Sequence, residues 1–177
     1  MPDVVVLSYE TLTSGRNWSD LKATAEETAS LRASFTALWV FHGWIAERDH
    51  RGTGRLGPPA WNIKGERAAD GSMNISSYDY ADSLDKGWKP PAPPPPPPDH
   101  QWHAPTGVYA TQDIREALRV VKEIQGLTLA QISDIIGRLP EDCMPRADGM
   151  ALARGLHERG KQLISLLGLP NAADTQS

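Results

Sequence analysis

Three oxygen-bearing side chains in the middle of the chain have types and settings suited to chemistry. Asp49 follows an apolar stretch, in Trp44-Ile45-Ala46-Glu47-Arg48-Asp49-His50. Asn62 stands in Trp61-Asn62-Ile63-Lys64, and Asp79 in Ser76-Ser77-Tyr78-Asp79-Tyr80. An Asp in a loop, then an Asn, then an Asp after a hairpin is an order that serves phosphoryl transfer. The first Asp takes or orients the proton of an attacking hydroxyl; the Asn and the second Asp hold Mg²⁺, a hard cation that wants oxygen ligands. On residue types alone this pattern is weak. Asp and Asn are ordinary loop residues, and surface acids commonly do no more than solvate.

Other motifs weigh less. Gly52-Thr-Gly54-Arg-Leu-Gly57 matches G-x-G-x-x-G. A dinucleotide fingerprint needs a strand before it and a helix after it, whereas here a helical stretch precedes and Pro58-Pro59 follow, so it reads as a loop. His100 and His103 have H-x-x-H spacing, but zinc needs further ligands, and the spacing of Asp99 and Cys143 does not point to them. Residues 89–98 hold eight of the fifteen prolines. That run must be polyproline II, serving as a stiff surface spacer or as a ligand for an aromatic groove.

The elements that must position the three residues can be read from periodicity. Val4–Leu7 reads as a short strand, and Ser14-Gly15-Arg16-Asn17 as a turn. From an N-cap at Ser19, apolar residues recur at Leu21, Ala25, Leu31, Phe35, Leu38, Phe41 and Ile45. This is one helix or two with a break near Ser30, buried all round from Leu38 to Ile45. Residues 47–59 form a loop. Trp61–Lys64 and Met73–Ser77 form an antiparallel hairpin, with Asp70-Gly71 in the connection. Helices resume at Thr111, with Ile114, Leu118, Val121 and Ile124 on one face and Gly126 at the end. Thr128 and Gln131 form a capping box for a short helix through Ile136, closed by Gly137 and Pro140. The last helix runs from about Asp148 to Leu167. Leu152, Leu156, Leu163 and Leu167 form its apolar stripe; Arg154, Arg159 and Lys161 are assigned to its polar face.

With 177 residues, residues 1–170 are expected to form one domain and 171–177 a disordered tail. Cys143 is the single cysteine, so an internal disulfide framework is excluded. Eighteen basic against twenty-two acidic residues argue against a general nucleic-acid binder, whose affinity comes from many phosphate contacts. No apolar run approaches the ~20 residues of a membrane span, and Val4–Leu7 is too short for a signal-peptide core. The expectation is a soluble, cytosolic protein.

The stretch from Leu38 to Leu84 resembles the catalytic region of HipA-like serine/threonine kinases, a family found in bacterial toxin–antitoxin systems. In that family an apolar helix leads into a loop of the type D-x-H-x-x-N-W, and a hairpin ends in a segment like S-Y-D-H-x-x-S-L. Here the counterparts are Trp39-Val-Phe-His-Gly-Trp-Ile45, Asp49-His50, Trp61-Asn62-Ile63-Lys64, and Ser77-Tyr78-Asp79-Tyr80-Ala81-Asp82-Ser83-Leu84. The closing helices also look similar, including Arg138-Leu139-Pro140, so the resemblance spans about residues 20–167. It implies an α+β, mostly helical fold: a protein-kinase-like C-lobe with a small β-hairpin. It implies phosphoryl transfer from Mg-ATP to a protein hydroxyl, with Asp49 catalytic and Asp79 and Asn62 as Mg²⁺ ligands. Implied partners are an N-lobe or antitoxin protein and a protein substrate.

The chain departs from the family pattern in three places. A kinase loop places its Asn five residues after the Asp; that position is Gly54, and Asn62 lies 13 residues on. Aligning Trp61 with the family's Trp instead puts Ala60 at the Asn position. Tyr80 stands where His is usual. Lys22 is the only lysine upstream of the matched region, so the lobe that holds the ATP phosphates is not expected within this chain. The alternative reading is therefore a non-catalytic relative of such kinases, or an interaction module.

Overall fold

The computed structural model describes residues 16–17, 26, 30–46, 63–67, 69, 71, 73–77, 113–142 and 144–170. Within them the chain is mostly helical, with one small antiparallel sheet. In chain order the elements are β1 (Arg16–Asn17), α1 (Arg32–Trp44), β2 (Ile63–Arg67), β3 (Met73–Ser77), α2 (Ile114–Gly126), α3 (Leu129–Ile136), α4 (Arg146–Lys161) and α5 (Leu163–Leu166).

The sheet runs β1-β2-β3. The expected hairpin is present: Ile63 pairs with Ser77, Gly65 with Ile75 and Arg67 with Met73. Gly71 lies in its connection at φ +85°, a left-handed conformation that glycine adopts without steric cost. The turn expected at Ser14–Asn17 is corrected at its last two residues. Arg16 and Asn17 pair with Gly65 and Lys64 and make a short edge strand, so a tertiary partner overrides the local turn signal.

The helix boundaries follow their capping chemistry. Glu26 and Ser30 are helical, Leu31 is a turn, and α1 starts at Arg32, so the break falls one residue past Ser30. Asp113 caps α2, its Oδ1 accepting from the Arg115 and Glu116 amides at 2.9 and 3.1 Å. The Asp113 amide in turn donates to Thr36 Oγ1 of α1 at 3.0 Å. The capping box at Thr128 and Gln131 is formed in both directions. The single last helix expected through Leu167 is instead two, α4 and α5, parted at Gln162.

Two apolar clusters hold the helices together. One gathers Leu31, Phe35, Trp39 and Val40 of α1 and its entry, Ala117, Val121 and Ile124 of α2, and Leu163 and Leu167 at the C-terminal end. The other gathers Ile132 of α3 with Leu152, Ala153 and Leu156 of α4. Trp44 packs against both. Ile114, expected on the buried face of α2, is 48% exposed. Ala117, three residues on, is fully buried in its place.

Candidate functional site

The last turn of α1 is where the described elements converge. The run Leu38-Trp-Val-Phe-His-Gly-Trp-Ile45 is apolar nearly all round, as a helix packed on several sides requires. Its polar groups face the interior, and three consecutive residues each find a partner on another element. His42 is fully buried, and its Nε2 lies 3.2 Å from Ser77 Oγ at the end of β3. The Gly43 carbonyl accepts from Arg159 Nε of α4 at 3.0 Å. Trp44 Nε1 donates to the Leu156 carbonyl of α4 at 2.8 Å. One short turn is thereby fixed to the sheet on one side and to α4 on the other.

Arg159 is only 4% exposed. Burial pushes its pKa down to about 10, so it stays charged at neutral pH. The cation sits at the C-terminal end of α1, where the helix dipole favours positive charge. Its assignment to the polar face is therefore corrected: Arg159 lies inside, against the helix end. The signal was in the spacing, since Leu152, Leu156, Arg159 and Leu163 recur at four, three and four residues, the step of one helical stripe.

Past this turn the backbone reverses. Ile45 caps α1 with its amide on Phe41 O, and Ala46 follows at φ +54° while only 1% exposed. The left-handed conformation is usual for the residue after a helix, but glycine normally fills it. An alanine there carries about 1–2 kcal/mol of steric cost, which the surrounding packing must offset.

The hairpin register brings a second and a third chain exit to the same place. Ile63, the first residue of β2, pairs with Ser77, the last of β3. The side chain of Ser77 is the one that meets His42. The end of α1, the start of β2 and the end of β3 thus lie together.

The sequence-predicted site residues Asp49, Asn62 and Asp79 lie outside the described residues. So do His50, the glycine-rich stretch 52–57, Trp61, Tyr78, the proline run 89–98, His100, His103, Cys143, Lys22, Val4–Leu7, Ser19 and the tail 171–177. Among the described residues no group of three or more His, Cys, Asp or Glu side chains could hold a metal ion, and no helix is long and apolar enough to cross a membrane.

His42 and Ser77 also have the residue types of a base and a nucleophile at hydrogen-bonding distance. Their exposures are 0% and 7%, and the contact ties α1 to the end of β3 as a strut. Elsewhere, a cavity of about 600 Å³ opens between α3 and the first turn of α4, lined by Ser133, Ile136, Leu139, Met144 and Met150 among others. It shares no residue with the last turn of α1.

No family model, curated protein or solved structure matches this chain.

Proposed function

We propose that the chain is the C-lobe of a HipA-like serine/threonine kinase, which transfers phosphoryl from Mg-ATP to a protein hydroxyl once an N-lobe supplies the rest of the nucleotide site. The observation that carries this reading is the convergence of the three chain exits. Asp49 follows Ala46 by three residues, Asn62 precedes Ile63 by one, and Asp79 follows Ser77 by two. These are short tethers for a chain that spans at most ~3.5 Å per residue. The phosphoryl-transfer order in the sequence and the junction of α1, β2 and β3 therefore support one another.

In this reading Asp49 accepts or orients the proton of the attacking hydroxyl, and Asp79 with Asn62 holds Mg²⁺. Those oxygen donors fit a hard cation. When bound, Mg²⁺ neutralises charge on the transferring phosphoryl group. The buried frame of His42, Gly43 and Trp44 ties Ala46 and Ser77, the last described residues before the two aspartates, to one turn, and holding groups in place is a large source of catalytic rate. The partners are a separate N-lobe or antitoxin protein and a hydroxyl-bearing protein substrate; the compartment is the cytosol.

Asp49→Ala and Asp79→Ala, each assayed for phosphotransfer with the N-lobe supplied, are expected to abolish activity. Full activity in both variants would overturn the proposal. The irregular 13-residue step from Asp49 to Asn62 favours the second reading, a non-catalytic relative that holds a partner. A preparation that binds its partner yet takes up no Mg-nucleotide would establish that reading instead.

A further inference from the structure

We infer that Arg159 is a positioning residue: from α4 it fixes the last turn of α1, and through that turn the backbone exits beside Ser77 and Ala46. Its use in phosphoryl transfer rests on the reading above; the frame itself does not.

The geometry is specific. Arg159 reaches from α4 to α1, across 116 residues of sequence, and donates Nε to Gly43 O at 3.0 Å. That same carbonyl accepts the longer 3.4 Å bond from the amide of Ala46, the left-handed residue at which the chain leaves α1. The guanidinium thus holds the acceptor on which the reversal at Ala46 closes. The neighbours on either side are tied as well, His42 to Ser77 and Trp44 to Leu156 O. Of these ties only the one through Arg159 is made by a buried charge. A charged donor gives the stronger hydrogen bond, and its planar fork holds direction in a way that a lysine ammonium does not.

A merely structural arginine would, when removed, loosen the whole domain. A positioning arginine loosens one turn. Amide hydrogen exchange on the full chain separates the two. In Arg159→Met, the amides of residues 41–46 should exchange roughly tenfold faster, while those of Ile132–Ile136 in α3 change less than about twofold. Arg159→Lys, which keeps a single charged donor, should recover part of the protection. An unchanged rate at residues 41–46, or an equal rise in α3, overturns the proposal. Should Arg159→Met fail to fold, the lysine variant decides by the same comparison.

Calorimetric titration with Mg-ATP adds the functional arm. If the parent chain binds, Arg159→Met should bind about tenfold more weakly, with partial rescue by lysine; equal affinity in the methionine variant refutes the positioning role. If the parent chain does not bind even with the N-lobe supplied, the phosphoryl-transfer reading fails, and the exchange data alone decide the frame.

Discussion

Removing the strut between His42 and Ser77 gives a prediction with a defined size. His42 is fully buried and Ser77 is 7% exposed, and their side chains meet at 3.2 Å. Ser77→Ala deletes one partner and leaves the buried imidazole nitrogen without that hydroxyl. The net value of such a bond is about 0.5–1.5 kcal/mol. Ser77→Ala should therefore destabilise the fold by about 0.5–1.5 kcal/mol. His42→Gln removes the imidazole and keeps an amide of similar reach. If the pair interacts as described, the double variant should lose less than the two single losses combined, by about 0.5–1.5 kcal/mol. Urea unfolding followed by fluorescence of the six tryptophans measures all four proteins. Losses that add within about 0.5 kcal/mol, or a Ser77→Ala loss below that figure, would refute the claim that this contact ties α1 to β3.

Two chemically identical substitutions in α4 should diverge. A Cβ on Gly160 would meet Ile124 Cγ2 at 3.4 Å and Trp44 Nε1 at 3.6 Å, ordinary contact distances. Gly160→Ala should therefore gain up to about 1 kcal/mol from helix propensity in urea unfolding. A Cβ on Gly149 would lie 3.1 Å from Ile136 Cγ2, so Gly149→Ala should lose about 1 kcal/mol as the repacking cost exceeds the propensity gain. Thr36→Val keeps the shape but removes the hydroxyl that accepts from the Asp113 amide; a loss of about 0.5–1.5 kcal/mol is expected by the same measurement. The Glu116 carboxyl is held below its ordinary value, chiefly by the hydrogen bond from Arg119. A depressed carboxylate stabilises the fold above its unfolded pKa of about 4.5. That contribution is lost as pH falls through the lower folded value. The melting temperature of Glu116→Gln should thus lie below the parent's at pH 7 and approach it as acid protonates Glu116.

Much of the scaffold was legible because local chemistry agreed with tertiary structure. Thr128 and Gln131 satisfy each other's backbone partners, so the start of α3 could be read from two residues. Gly126 is the last residue of α2, as its place in the sequence suggests, and Gly71 turns the hairpin with the conformational freedom of glycine. The misreadings arise where a distant partner decides. Arg16 and Asn17 carry a turn signature yet pair with β2, and Ile114 has the period of the buried face but is half exposed. Arg159 is the instructive residue. Its charge suggested solvent, and its place on the leucine stripe of α4 pointed inward. Position prevailed because Gly43 O gives the guanidinium a partner inside. Asp49, Asn62 and Asp79 were chosen on type and order and lie outside the described residues; the structure describes the junction of α1, β2 and β3, near them in sequence.

The most direct test is calorimetric titration of the chain with Mg-ATP, with the N-lobe supplied, run beside Asp79→Ala. The account predicts saturable binding that disappears in the variant, since Asp79 is the proposed Mg²⁺ ligand. Binding that persists undiminished in Asp79→Ala would contradict it.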